Sequence, residues 1–238
     1  MSEILHKNNS RGLADHGWLV SRHTFSFANY HNPERMNFGL LRVLNDDIVK
    51  PLMGFGTHPH ENMEIVSIPL IGSLKHQDSM GNKHTISAGE VQIMSAGSGL
   101  THSEYSNSDQ VDVNFLQIWV IPKKENISPR YGQLLFDAAD RKNRFQILVS
   151  PKDSDETIWI NQDAWFSMAD IDPENQISYE KQIKDNGVYF FVIEGEAEID
   201  GHSVKQRDGL GFSHGEGHLI KAETDVQLLA IEVPMSRS

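Results

Sequence analysis

The chain has 238 residues, 38% of them hydrophobic and 23% charged, with 18 glycines, 9 prolines and no cysteine. The missing cysteine excludes a disulfide framework, a zinc–thiolate cluster, an iron–sulfur centre and a thiol nucleophile. The formal charge of −12 is spread over both halves, residues 1–122 carrying 8 basic and 12 acidic side chains and residues 123–238 carrying 13 and 21, so direct binding to DNA or RNA is not expected.

The first ten residues lack the apolar core of an export signal. The longest strongly apolar stretches, such as residues 115–121, are too short to span a bilayer. A cytoplasmic protein without a membrane partner is expected. Along the chain, turn signals stand at Asn45, Asp46 and Asp47, at 78–82, at Ala88 and Gly89, at Asp200 and Gly201, and at Asp208 and Gly209. Short Ile/Val/Phe/Leu-rich segments lie between them at 64–70, 91–94, 115–121, 188–193 and 226–233. This pattern predicts an all-β sandwich or barrel with few short helices, residues 134–139 being the main helical candidate.

Pro122 and Pro129 bracket a polar stretch that predicts a boundary. The expected division is a domain over 1–122, a linker over 123–131 and a second domain over 132–238. A faint repeat supports it. Gly72 opens a segment that turns near Gly81 and continues into Ala88-Gly89-Glu90-Val91, and Gly195 opens another that turns at Gly201 and continues into Asp208-Gly209-Leu210.

Nine of the twelve histidines precede residue 103. His6, His16 and His31 sit in polar surroundings, and His84 and His202 flank hairpin turns; all five are expected to be solvated or locally hydrogen-bonded. Two motifs differ. In Gly56-Thr57-His58-Pro59-His60-Glu61-Asn62-Met63-Glu64, residues two apart on an extended strand share a face at roughly 6.5–7 Å, so His58, His60, Asn62 and Glu64 all have the phase to face one interior. In His102-Ser103-Glu104, His102 and Glu104 again share a face. Three imidazoles and a carboxylate from separated strands suit a divalent transition metal and disfavour magnesium or calcium. Metal-activated oxygen or water chemistry is the corresponding expectation.

These residues resemble a known family. Gly56-x-His58-x-His60-x3-Glu64 followed by Gly72, and Gly89 through Ser95-Ala96-Gly97 to His102, are similar to the two cupin signatures. The finer resemblance is to the pirin and pirin-like bicupins. It rests on the phrases 21–27, 42–47, 58–60, 76–81, 95–97, 102–104, 117–119 and 129–131, and it thins beyond residue 132. The resemblance implies two tandem cupin (double-stranded β-helix, jelly-roll) barrels. It also implies metal ligands at His58, His60, His102 and Glu104, holding iron(II), with manganese, cobalt, nickel, copper or zinc as substitutes. The general cupin signature nominates Glu64 as the carboxylate; strand phase admits both glutamates, and the closer resemblance selects Glu104, leaving Glu64 as a neighbour or alternate. Matching Gly195 to Gly72 and Gly209 to Gly89 places the second-half counterparts near Lys181 and Ile183 and near Ala222 and Thr224. A C-terminal domain without metal ligands is therefore expected, with His214 and His218 as surface residues.

By the same resemblance, the activity is that of a quercetinase: a flavonol such as quercetin and dioxygen as substrates, Glu104 as the catalytic proton acceptor, and carbon monoxide as a product. The competing reading is an iron-dependent regulatory protein that binds a transcription factor or metabolic enzyme. A third is a metallo-isomerase or hydrolase on the same ligands, since one fold hosts many reactions. A monomer is expected. Phe25, Phe27, Tyr30, Phe38, Phe55 and Trp119 are the aromatic residues nearest the motifs; core packing is the expectation for most of them, Phe55 is out of phase with His58 and His60, and Gln117 is either a pocket residue or a partner for buried backbone.

Overall fold

The computed structural model describes residues 3–237. The first half contains β1 (Glu3–His6), β2 (Gly12–Asp15), β3 (Leu19–His23), β4 (Leu41–Val49), β5 (Gly54–His60), β6 (Glu64–Ile71), β7 (Ser73–Asp78), β8 (Lys83–Ser87), β9 (Glu90–Ser95), β10 (Leu100–Ser106) and β11 (Val113–Val120). The second contains β12 (Arg130–Leu135), β13 (Gln146–Ser150), β14 (Ile158–Trp159), β15 (Trp165–Ile171), β16 (Gln176–Glu180), β17 (Asn186–Glu194), β18 (Glu196–Ile199), β19 (His202–Lys205), β20 (Gly209–Phe212), β21 (Gly217–Ala222) and β22 (Val226–Pro234). Among the described residues, helix is confined to two short 3-10 turns, Asn8–Ser10 and Ala138–Arg141. Residues 134–139, the helical candidate, instead finish β12 and enter the second turn, which Asp137 caps by accepting from the Ala139 amide.

The strands build two barrels of the cupin type, each from a seven-stranded and a four-stranded sheet. In the first barrel the order is β12-β9-β6-β11-β4-β3-β2 against β5-β10-β7-β8; in the second it is β1-β20-β17-β22-β15-β13-β14 against β16-β21-β18-β19. The duplication is plain in the topology, since β9-β6-β11-β4 repeats as β20-β17-β22-β15 and β5-β10-β7-β8 as β16-β21-β18-β19. Gly72 and Gly195 open the equivalent hairpins at φ +77° and +85°, a left-handed conformation that glycine adopts without strain.

Strand pairing crosses the expected 122/132 divide in both directions. β1 joins the second barrel by pairing with β20, and β12, drawn from residues 130–135, joins the first by pairing with β9. Each added strand covers an edge that would otherwise expose unpaired amides. The two large sheets then face each other over the largest apolar core, in which Phe25, Phe38, Leu116 and Ile118 pack with Phe166, Tyr189, Phe191 and Ile231.

The turn expected at Asn45, Asp46 and Asp47 does not form. These residues lie in the middle of β4, paired with β11 on one side and β3 on the other. Tertiary partners override the local turn preference. Asp46 points toward the second barrel, where Arg207 Nη1 donates to it at 3.0 Å and Arg11 Nη2 at 3.4 Å. Asp47 and Asn45 take the opposite phase and face the first barrel's interior.

The interiors of the two barrels differ. The second is filled by one continuous apolar cluster, including Phe190, Phe212, Ile199 and Ile220. In the first, a small apolar group around Leu19, Val49, Leu74 and Phe115 and another around Ile65, Met94 and Leu100 are separate. Between them runs a polar layer, and there the candidate site lies.

Candidate metal centre and its cavity

β5 and β10 pair antiparallel, with His60 opposite Leu100 and His58 opposite His102, but Glu104 lies opposite Phe55. β5 therefore carries one extra residue in the Gly56–Thr57 region, a bulge of the kind that re-aims side chains beside functional sites. It gives Phe55 the same cavity as His58 and His60, although sequence phase places it on the other face. Across β10, β7 brings His76 opposite Glu104 and Asp78 opposite His102.

The imidazoles of His58, His60 and His102 converge, with ligand atoms within 4.8 Å of one another. His76, His102 and Glu104 form an overlapping group at the same spacing, so His102 stands at the centre of both. His58 Nδ1 donates to the Gly56 carbonyl at 2.8 Å, which leaves Nε2 free to ligate. Among the described residues, neither nitrogen of buried His102 has a hydrogen-bond partner. A buried group of this kind is costly unless something binds it, and three imidazoles with a carboxylate are a donor set that a divalent transition ion satisfies. Burial, reinforced by His58, lowers the His60 pKa to about 4; burial with His58, His60 and His76 lowers that of His102 to about 2. Both rings are thus neutral at physiological pH, the form that binds metals.

Glu104 is buried on the same wall. Ser67 Oγ donates to one oxygen at 3.1 Å and Gln117 Nε2 to the other at 2.9 Å. Burial raises its pKa to about 7, against the lowering effect of these two hydrogen bonds. Gln117 therefore faces the cavity and orients a carboxylate rather than backbone.

Glu64 lies elsewhere. β5 ends at His60, Asn62 turns with φ +48°, and Glu64 starts β6 in the other sheet. Its Oε2 accepts from Ser95 Oγ at 2.7 Å and from the Asn161 amide at 3.2 Å, tying the barrels together, and it belongs to neither ligand group. His58 and His60 share a wall with Phe55, Trp119 and Gln117, not with Asn62 and Glu64.

Sequence reasoning gave His76 no role. Its Nε2 pairs with Asp78 Oδ2 at 3.3 Å, while Nδ1 is buried without a partner and its ring stands 5.4 Å from His102. The signal was the alternation of Leu74, His76 and Asp78, which are buried while Lys75 and Gln77 are exposed.

A cavity of about 390 Å³ opens beside His58 and His60, within the range of small-molecule sites. Trp18, Phe27, Phe55 and Trp119 supply apolar surface, and Ser21, His23, Asn45, Asp47 and Gln117 supply polar groups. The Trp119 ring meets His60 edge to face at 5.0 Å. Phe25 and Phe38 instead belong to the core between barrels, and Tyr30 packs behind His23. His6, expected to be solvated or locally hydrogen-bonded, is buried and bonded to the hydroxyl of Tyr189, a residue far along the chain, at 2.8 Å.

The chain is 43% identical over 234 residues to the quercetin 2,3-dioxygenase of Escherichia coli strain K12, covering 97% of this chain and 98% of that protein. It belongs to the pirin family. The pirin family model matches residues 6–120, and the model of a quercetinase C-terminal cupin domain matches 147–233. A pirin-like protein of Caulobacter vibrioides is 39% identical, covering 93% of this chain and 95% of its own. Among solved structures, the bacterial pirin YhhW of Escherichia coli in complex with nickel(II) superposes with a TM-score of 0.92 at 40% identity, covering 98% of this chain and 99% of that one. A pirin holding a divalent metal, together with the His/Glu cluster here, supports a divalent metal in this chain.

Strand pairing also identifies the second barrel's counterparts of the cluster. With Gly72 matched to Gly195, His76 falls on Ile199; Ile199 pairs with Ile220, and Tyr179 pairs with His218. The counterparts of His58, His60, His102 and Glu104 are thus Tyr179, Lys181, His218 and Ile220, displaced from the sequence expectation because the second half has a longer connection before Gly195 and a shorter one between Gly209 and His218. β16 pairs with β21 without a bulge. His218 is buried rather than on the surface, bonded through Nδ1 to Asp200 at 2.7 Å and stacked on Phe212 at 4.4 Å.

Proposed function

We propose that the protein is a metal-dependent dioxygenase of the quercetinase type, with the metal held by His58, His60, His102 and Glu104 of the first barrel and iron(II) as its native ion. The observation that carries this reading is the convergence of the His58, His60 and His102 imidazoles, with buried Glu104 in an overlapping group around His102, beside an aromatic-lined cavity of about 390 Å³. Relatives named quercetin 2,3-dioxygenase support the substrate class. When bound, such an ion acidifies a coordinated hydroxyl and supports oxygen chemistry.

The chain's own residues account for the rest. The Gly56 carbonyl fixes the His58 ring, and Trp119 fixes His60. Ser67 and Gln117 hold the Glu104 carboxylate, which takes the proton of the substrate's 3-hydroxyl. Trp18, Phe27 and Phe55 give a planar substrate an apolar surface and displace water from it. In the overall reaction dioxygen supplies one oxygen atom to C2 and one to C4, the flavonol C2–C3 and C3–C4 bonds break, and C3 leaves with its own oxygen as carbon monoxide. The second barrel, with Tyr179, Lys181, His218 and Ile220 at the equivalent places, has a structural role.

Oxygen uptake on adding quercetin to protein reloaded with iron(II) tests the reading. Uptake should match flavonol loss and vanish in the His58→Ala, His60→Ala double variant. An iron-loaded protein that consumes no oxygen overturns it.

A further inference from the structure

The wall of the cavity formed by β3 and β4 carries polar side chains that the mechanism does not use. On β3, Ser21 and His23 point inward; on β4, Asp47 and Asn45 lie directly opposite them in register. Ser21 Oγ donates to Asp47 Oδ1, His23 Nδ1 bonds to Asn45 Oδ1 at 2.9 Å, and Ser21 Oγ lies 3.2 Å from His23 Nδ1. All four residues line the cavity, and all four are buried.

Asp47 is underprovided. Glu232, equally buried, accepts from the Tyr179 hydroxyl, the Gln182 and Ile183 amides and Asn186 Nδ2. Glu104 accepts from two side chains. Among the described residues, the Asp47 carboxylate receives Ser21 alone. A buried carboxylate facing a cavity with spare acceptor capacity is a place for a ligand donor, because the ligand supplies the hydrogen bond that the fold withholds. Burial holds the Asp47 pKa at about 7, so its two forms are close in energy and a hydroxyl donor favours the ionised one.

We propose that Ser21–Asp47 and His23–Asn45 form a recognition wall for a polyhydroxylated aromatic, in which Asp47 accepts a ring hydroxyl other than the one that faces His58 and His60. The inference rests on the reading of the cavity as a flavonol site and names what that site selects. Asp47 is a specificity-determining residue, and Ser21 positions its carboxylate. The aromatic residues grip any planar ring, whereas a flavonol stripped of its further hydroxyls leaves Asp47 buried with one donor. Specificity of this kind is strong because the loss falls on an unpaired buried group.

The test is binding rather than turnover. Nickel(II)-loaded protein is titrated without oxygen with quercetin and with 3-hydroxyflavone, which keeps the metal-facing hydroxyl and lacks the others, following the fluorescence of Trp18 and Trp119. The wild-type protein should bind quercetin at least about tenfold more tightly. Asp47→Ala should bring the ratio near one while metal content stays unchanged, and Asp47→Asn, which keeps the shape and an acceptor but loses the charge, should fall between. A wild-type ratio near one overturns the proposal without any variant, and so does an Asp47→Ala protein that keeps the wild-type ratio. A protein that discriminates in this way yet consumes no oxygen with iron overturns the dioxygenase reading and leaves the recognition wall standing.

Discussion

His102 and Glu104 share one face of β10, yet they meet β5 out of step: His102 lies opposite His58, and Glu104 lies opposite Phe55. Because β5 spends an extra residue between those points, one wall presents both an aromatic ring and two imidazoles to the same cavity. The equivalent pair in the second barrel, β16 and β21, is regular, and Ile220 occupies the place of Glu104.

The central position of His102 in both groups makes it the most informative candidate ligand to remove. His102→Ala should weaken nickel(II) binding by at least about a hundredfold, since even partners outside the ligand set commonly contribute 10–100-fold. The melting temperature of the metal-free protein should change little, because relief of two unpaired buried nitrogens offsets the lost packing. Chelator competition and calorimetry on the same preparations measure both effects.

Gln117, on β11 in the facing sheet, donates to Glu104 at 2.9 Å. Gln117→Leu, of similar volume, leaves that carboxylate with Ser67 as its remaining donor and free to rotate. Metal affinity should fall by about 10-fold or more, and Gln117→Glu, which adds a second buried carboxylate, should not restore it. Retained affinity in the leucine variant would show that Glu104 needs no such orientation.

Glu64 offers a test of linkage between the barrels. Burial pushes its pKa up to about 7, only partly offset by Ser95 and the Asn161 amide. Between its unfolded value near 4.5 and about pH 7 the folded state binds more protons than the unfolded, so its contribution is fully present at low pH and is lost as pH rises through about 7. Glu64→Gln keeps the shape and cannot ionise. Relative to wild type, the metal-free variant should gain stability progressively from pH 5 to pH 7.5, by on the order of 2 kcal/mol, and remain level beyond. Urea denaturation across that window, with a pH-independent difference, would count against the assignment.

Asp46 bridges Arg207 of the second barrel and Arg11, whose side chain is 1% exposed. Asp46→Ala leaves Arg11 buried without its carboxylate. The expected loss is about 3 kcal/mol in chemical denaturation, the range for breaking a buried pair by removing one partner. Replacing Lys142, which pairs with Asp172 on the surface, with alanine should leave the denaturation midpoint nearly unchanged, which provides the contrast.

In the sequence by itself the strands β6, β9, β11, β17 and β22 were legible as the apolar segments 64–70, 91–94, 115–121, 188–193 and 226–233, to within a few residues at their ends, because alternating and continuous apolar runs between turn residues leave little choice. The sequence also exposed the two histidine motifs, and the glycines at 72 and 195 that mark the duplication. The rest depended on partners far along the chain. Asn45, Asp46 and Asp47 look like a turn until β3 and β11 supply their ladder partners and Arg11 and Arg207 their charge. Glu64 and Glu104 have equal claims by phase. What separates them is the turn at Asn62, which sends Glu64 to another sheet, and the pairing of β10 with β7, which gathers Glu104, His102 and His76. Phase along one strand specifies a face, whereas a ligand set needs several strands to agree on a point, and that agreement is fixed by register, bulges and sheet order.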